Sequence, residues 1–365
     1  MVDVGLLIEQ IISFIGVYLI VTLALNIKAG YTGIPDFGHA MFFAVGGIVV
    51  GNFVAHIAAY IAESRGVPGV TVEGVLEDNA GTLAALNENF FPKAPLISIG
   101  LLVFSVVTAV VLGGLLGWLA SLPALRLRGE YLAILLLAVS EALRIAATYT
   151  TQVMGDTPTV GLTVPNLFAW VGSPETASLA ATVFTVLMAI TAYVVVERLY
   201  NSPAGRLFRA VRDEEDAAKA LGKDVVVVRR DSMILGSALA ALAGVVYAIN
   251  PYLGGGSVAA ISIYNRVFWT FWPWALMILG GMSSNRGVAL AVGIVGIALV
   301  WPIRLYRSQV TEFLRVEQLG LDPDAFANAL EFVFIGLLII LVLALRPSGV
   351  IPEPPSRTIE PRRRS

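Results

Sequence analysis

The chain has no cysteine, so it cannot form a disulfide, a thiolate nucleophile or a cysteine-ligated metal site. It has two histidines, His39 and His56, too few for the usual histidine-rich metal centre. Lysine is scarce: Lys28, Lys93, Lys219 and Lys223 are the only four among 24 basic residues. Charged residues of all types make up 14%, against about a quarter in an ordinary soluble domain. The chain also lacks the signatures of common catalysts. Gly222-Lys223 is followed by Asp224, so no phosphate-binding loop forms, and neither His-Glu-x-x-His nor Gly-x-Ser-x-Gly occurs. No nucleophile with a neighbouring base stands out. We therefore expect a non-catalytic chain with no metal and no cofactor of its own.

Apolar residues dominate: 57% of the 365 residues are hydrophobic, and the mean hydropathy is +0.81. Several apolar runs approach the ~20 residues that span a bilayer as a helix. They are continuous rather than alternating, which argues against a membrane barrel. The expected class is an all-α polytopic membrane protein. About nine spans are expected, near 5–26, 38–61, 96–120, 130–150, 177–198, 231–250, 267–282, 287–304 and 328–345. Glycine and proline are frequent in 38–61, 267–282 and 287–304, which predicts short, broken or re-entrant helices there. The first run follows Asp3 and Glu9 instead of a basic segment, so it reads as a permanent helix and not a cleaved signal. The Gly-rich stretches 30–51 and 280–296 hint at an internal duplication of the kind that marks transport paths.

The basic residues of short connections set orientation. If 199–230 is cytoplasmic, alternation places Lys28, Arg126, Arg128, Arg286 and the tail ending Arg362-Arg363-Arg364 on the same side. The acidic loop 62–95, with Glu63, Glu73, Glu77, Asp78 and Glu88 against Arg65 and Lys93, then lies outside. Segment 304–327 also falls outside and carries Arg304, Arg307 and Arg315, which suits an amphipathic interfacial helix. The expected organisation is one membrane domain over 1–345 and an unstructured cytoplasmic tail over 346–365, rich in proline and arginine. Arginine in place of lysine, with acidic loops, hints at a prokaryotic source with a GC-rich genome or an adaptation to salt.

The most informative stretch is 205–222, a charged island between apolar spans. Ser202-Pro203 is a helix start. Gly205, Arg206, Arg209 and Arg212 follow, then an acidic run containing Glu215 and Asp216. Ala217, Ala218 and Leu221 favour helix, and Gly222 is a natural stop. The pattern predicts a short helix, a charged bend and a second short helix. Such an element suits a groove on a soluble partner, with arginines hydrogen-bonding its acidic edges. The plainer reading is a solvated loop that only obeys the positive-inside rule.

Asp216-Ala217-Ala218-x-x-x-Gly222 resembles the Glu-Ala-Ala-x-x-x-Gly signature of ABC-importer permeases, with Asp in place of Glu. Gly30-Tyr31-Thr32-Gly33-Ile34-Pro35-Asp36-Phe37-Gly38-His39-Ala40-Met41-Phe42-Phe43 resembles the second-helix entry of branched-chain amino-acid importer permeases of the Liv type, M-like subunit. Leu125 to Ile134, Glu141 to Arg144, Gly155 to Leu162, Leu279-Gly280-Gly281-Met282 and Arg286-Gly287 resemble later stretches of that family. Two features depart from the pattern: the long 62–95 loop, and Pro35-Asp36 where small or apolar residues are commoner. The resemblance implies a plasma-membrane permease that pairs with a second, similar permease subunit or with itself. It further implies two ATPase subunits that carry ATP and magnesium, an external solute-binding protein, a small solute and no nucleic acid. Gly205, Arg206, Arg209, Arg212, Glu215, Asp216, Ala217, Ala218 and Gly222 would couple to the ATPase. Urea or a short amide is the alternative solute.

Charges inside spans invite a second reading. Glu141 and Arg144 lie on one helical face; they either line a path or form a self-neutralising pair near the outer interface, and we prefer the pair. Asp36 and His39 either line a broken helix or mark an interfacial cap with Asp36 as the N-cap. An ion-coupled secondary transporter would use Asp36, His39 or Glu141 and need no ATPase. Asn265, Arg266, Phe268, Trp269, Phe271, Trp272 and Trp274 read as an interfacial aromatic belt rather than a substrate cage.

Overall fold

The computed structural model describes residues 4–124, 127, 129–150, 153, 163–253, 264–300 and 348–353, with scattered positions within 322–345. Among the described residues there is no strand. Among the described residues six helices are long and apolar enough to cross a membrane, or up to seven if a bent pair counts as one span. The expected spans at 267–282 and 287–304 form that bent pair, turning by 114°. The last expected span, 328–345, and the interfacial segment 304–327 fall largely outside the described residues, as do Arg126, Arg128 and the 155–162 motif.

The elements run in order as α1 (Val4–Leu25), α2 (His39–Ile48), α3 (Ala55–Ser64), α4 (Gly74–Glu77), α5 (Asn79–Ala85), α6 (Pro95–Ala124), α7 (Glu130–Thr148), α8 (Pro174–Asn201), α9 (Pro203–Asp213), α10 (Glu215–Ala220), α11 (Val225–Ile249), α12 (Trp272–Gly280) and α13 (Asn285–Val295). A π-helical turn at Asn26–Tyr31 extends α1, and another at Val49–Val54 joins α2 to α3 as one span. The glycines of 38–61 thus loosen that helix locally without ending it.

Helix α11 is the centre of the bundle. Of its most apolar window 78% is buried, against 22% for α7 at the periphery. It packs first on α6, then on α2 and α1. Lipid is as apolar as leucine, so helices in a bilayer associate through close packing of small residues. Helix α11 supplies such a face in Gly236, Ser237, Ala240, Ala241 and Gly244, all buried. Gly113 and Gly117 of α6 lie against it. A Cβ on Gly113 would come 2.8 Å from the Ser237 carbonyl oxygen, and one on Gly117 2.6 Å from that of Met233.

The 62–95 segment is more than an acidic loop. It folds into α4, α5 and short π and 3₁₀ turns: Val75, Leu83, Leu86 and Phe91 are buried with Val164 and Leu167, in a cluster continuous with Ala58 and Ala62 of α3 and Leu101 of α6. Asn79 Oδ1 accepts from the Thr163 N–H at 2.5 Å and Asn87 Oδ1 from the Asn166 N–H at 2.9 Å, pinning the cap to the 163–168 strap.

Candidate coupling site and polar core

The segment after α8 folds as its local signals dictate. Ser202 caps α9, its hydroxyl accepting the Gly205 N–H at 3.1 Å, and Pro203 occupies the first turn. Glu214 is extended and bends the chain into α10. Gly222 closes α10 with φ +73: its N–H bonds the Lys219 carbonyl at 2.9 Å and the Lys223 N–H bonds the Ala218 carbonyl at 3.1 Å. That is a Schellman stop, which a residue with a Cβ enters only under strain.

The two short helices have two distinct faces. Gly205, Phe208, Val211 and Ala218 are buried against the bundle. Arg206, Asp216, Ala217, Leu221 and Gly222 are exposed. The arginines expected to share one outward role divide. Arg206 stays outside, donating to the Asn201 carbonyl at 3.2 Å. Arg209 turns back, stacking 3.9 Å over the Tyr200 ring and pairing with Glu353 at 3.4 Å. Arg212 donates to the Gly30 carbonyl at 2.8 Å and to Ser283 Oγ, and pairs with Glu353 at 2.9 Å. Burial alone would lower the pKa of the Arg212 guanidinium; Asp213 and Glu353 outweigh it and raise the pKa, so Arg212 remains a cation. Glu215 also faces inward, bonded to Arg229 of α11 at 2.9 Å and to Lys219 at 2.8 Å.

These inward residues end in a polar hub joining the end of α1, the end of α8 and the α12–α13 turn. Ser283 has φ +66, uncommon for a residue with a side chain. Its N–H bonds Asn26 Oδ1 at 2.9 Å and its hydroxyl donates to the Gly30 carbonyl at 2.6 Å. Asn285 Oδ1 accepts from Asn26 at 3.2 Å and from the Tyr31 hydroxyl at 2.5 Å, while its amide donates to Glu197 at 2.8 Å. The two Gly-rich stretches thus meet each other here. Residues 348–353, the described part of the expected tail, lie here too: the Val350 and Ile351 N–H groups bond the Leu279 and Gly280 carbonyls at 2.9 and 3.0 Å, which carries Glu353 to the arginines.

Deeper in the bundle Lys28, Asp36 and His39 form a sealed cluster, each side chain fully buried. Lys28 is therefore not a solvated loop charge: its ammonium pairs with the Asp36 carboxylate and sits 4.2 Å over the Phe42 ring. His39 lies between Asp36 Oδ2 at 3.2 Å and the Val21 carbonyl at 3.0 Å. Gly38, and not Asp36, is the N-cap of α2; the Asp36 carboxylate instead accepts the Gly38 N–H at 3.0 Å. A charge pair closed off from water like this bridges α1 and α2.

Glu141 and Arg144 do form the expected local pair, at 2.6 Å and each about a quarter exposed. A third member, Arg266, not expected from spacing, reaches Glu141 at 3.4 Å. The aromatic cluster is not an interfacial belt. Trp269 and Trp272 are buried, and Trp269 stacks on Phe43 and Tyr18 with centroids 3.7 and 5.3 Å apart. The π turn at Val267–Phe271 carries them into the core, while Phe271 stays partly exposed and Trp274 donates to the Asp36 carbonyl at 3.0 Å. Among the described residues no group of three His, Asp or Glu could hold a metal.

Comparison with known proteins fits this architecture. The chain is 34% identical to a protein of Methanocaldococcus jannaschii named "Probable branched-chain amino acid transport permease protein LivM", over 96% of this chain and 94% of that one. It is 24% identical to proteins of Salmonella typhimurium and Escherichia coli named "High-affinity branched-chain amino acid transport system permease protein LivM", over 92% of this chain and 68% of each of theirs. No solved structure matches. Residues 7–343 match the family described as the permease component of the branched-chain amino acid transport system, and the chain belongs to that family.

Proposed function

We propose that this chain is the membrane-spanning permease subunit of an ATP-driven importer and translocates a branched-chain amino acid handed over by an external binding protein. The observation that carries the reading is the two-faced α9–α10 element. One face is tied by Arg209 to α8, by Arg212 to the end of α1 and the α12–α13 turn, and by Glu215 to α11, and the other presents Arg206, Asp216, Ala217 and Leu221. A rigid element anchored to several spans can transmit a push without dissipating it in a loop. In this reading two ATPase subunits hold ATP and magnesium, and their closure moves α9–α10 together with the ends of α1 and α8. Gly205 lets α9 lie close against the end of α8; Ala218 packs and Gly222 turns.

The same reading puts 199–230 and the tail in the cytoplasm and 62–95 outside, where the folded cap would meet the binding protein. The tail segment 348–353 lies against α9, so both sit at one end of the molecule. A second permease, similar or identical, completes the path within the plasma membrane, and this chain hydrolyses no ATP itself. The names of the relatives favour a branched-chain amino acid over urea or a short amide. Ion coupling through Asp36 or His39 is disfavoured, because both are sealed.

The test is purification of the complex from native membranes followed by mass spectrometry. Stoichiometric ATPase and a second permease are expected. A chain that travels alone and moves solute on an ion gradient without ATP would overturn the proposal.

A further inference from the structure

A cavity of about 170 Å³ lies between α2, α6 and α7, away from the coupling hub. Ala44, Leu116 and Leu143 are among its apolar walls, and Ser140, Arg144 and Tyr264 are its polar members. Its size is close to the ~150 Å³ of an apolar cavity known to accept a six-carbon ligand.

Two independent features mark it as more than a packing defect. The Tyr264 side chain is buried, and its hydroxyl has no hydrogen-bond partner among the described residues. It lies against Gly47, where any Cβ would overlap it. A buried hydroxyl is rarely left unpaired in a finished structure. The second feature is charge. Arg144 directs both Nε and Nη2 to one oxygen of Glu141, at 3.1 and 2.6 Å, while the other oxygen faces Arg266 at 3.4 Å. One carboxylate thus serves two guanidiniums, so Arg144, which lines the cavity, shares its counter-charge with Arg266, which stands outside the lining and is about half exposed. A lipid chain filling the cavity would need neither feature.

We propose that this cavity is an intramembrane binding site for a small solute bearing a carboxylate and an aliphatic side chain of about leucine's size. Arg144 draws the carboxylate, the Tyr264 hydroxyl hydrogen-bonds the polar end, and Ala44, Leu116 and Leu143 enclose the side chain. The assignment rests on the importer reading above. It gives Arg144 a second task beyond its pair with Glu141, and it gives Tyr264 a partner.

The test is uptake of L-leucine, L-alanine and L-phenylalanine by the complete importer, with its ATPase and binding protein, in proteoliposomes. Ala44→Leu fills the cavity and should lower the leucine-to-alanine uptake ratio ~10-fold or more, since single methylenes in a fitted pocket discriminate by ~10–200-fold. Leu116→Ala widens it and should raise the phenylalanine-to-leucine ratio. Tyr264→Phe should raise the half-saturating leucine concentration several-fold and leave the ratios unchanged. Ratios that stay at the wild-type value in both wall variants overturn the site. So does a uniform loss of all three solutes with the second permease missing from the complex, which makes the cavity a packing seam. If Ala44→Leu does not assemble, Leu116→Ala decides alone. A wild type that imports none of the three removes the amino-acid reading and the site with it; a wild type that imports leucine beside unmoved variants removes only the site.

Discussion

The 62–95 cap and the α9–α10 element are both segments between spans, yet they are held in different ways. The cap packs Val75, Leu83, Leu86 and Phe91 in an apolar cluster continuous with α3 and α6, closed over by the 163–168 strap with a few asparagine bonds. The coupling element also buries Phe208, Val211 and Ala218, and adds directional polar contacts that the cap lacks in this number: Arg212 to Gly30 and Ser283, Glu215 to Arg229, and Arg209 and Arg212 to Glu353. Apolar packing is non-directional and can slide a little without loss. A guanidinium forked between a carbonyl and a carboxylate has one geometry. The cap is therefore suited to be a stable platform, and the coupling element to pass on displacement in a defined direction.

The largest expected effect lies where polar fixation goes deepest. Lys28→Met leaves the buried Asp36 carboxylate without its lysine counter-charge, with His39 and the Gly38 N–H as its remaining partners, and breaking a buried pair costs ~3–5 kcal/mol. We expect a large fall in apparent Tm of the purified complex, with much of it recovered in Lys28→Met/Asp36→Leu. Next is the cap: Leu83→Ala should cost ~2–5 kcal/mol, seen as protease cleavage confined to 62–95 while co-purification with the ATPase persists. Arg212→Ala comes third. It should reduce uptake at least tenfold with the ATPase still bound, and Arg212→Lys should restore little, because an ammonium cannot reproduce the fork. Smallest in stability is Gly222→Val. Nothing lies within 4 Å of a Cβ at Gly222, so only the positive φ opposes the change, at ~1–2 kcal/mol. Its signature should be ATP hydrolysis without proportionate uptake. If Leu83→Ala uncoupled transport and Arg212→Ala did not, the contrast between the two segments would be reversed.

Much of this was legible in the sequence where the signals are local. Ser202-Pro203, the acidic bend and Gly222 predicted helix, bend, helix and stop, because caps act within a turn or two. The i,i+3 spacing of Glu141 and Arg144 gave their pair. The spans were legible from composition, and the bent pair from its glycines and prolines. Which arginines face inward was not legible, because that depends on Tyr200, Gly30 and Glu353, brought together by the fold. Lys28 looked like a loop charge and Trp269 like a belt residue, since the same residue types serve at an interface and in a core. The cap is the instructive miss. Its acidic residues dominated the reading, while Val75, Leu83, Leu86 and Phe90 already carried a helix-like apolar spacing. Tyr264 had no signal at all, because an unpaired hydroxyl is a tertiary fact.

The absence of native cysteine makes the decisive measurement clean: single-cysteine variants at Asp216, Ala217 and Glu77, labelled with a membrane-impermeant maleimide in inside-out and right-side-out vesicles holding the complete importer. Asp216→Cys and Ala217→Cys should be shielded until the ATPase subunits are stripped, then label only in inside-out vesicles, while Glu77→Cys should label only from the opposite side. Equal labelling of Asp216→Cys with and without the ATPase, or its labelling from the same side as Glu77→Cys, would contradict the assignment of α9–α10 as the docking element.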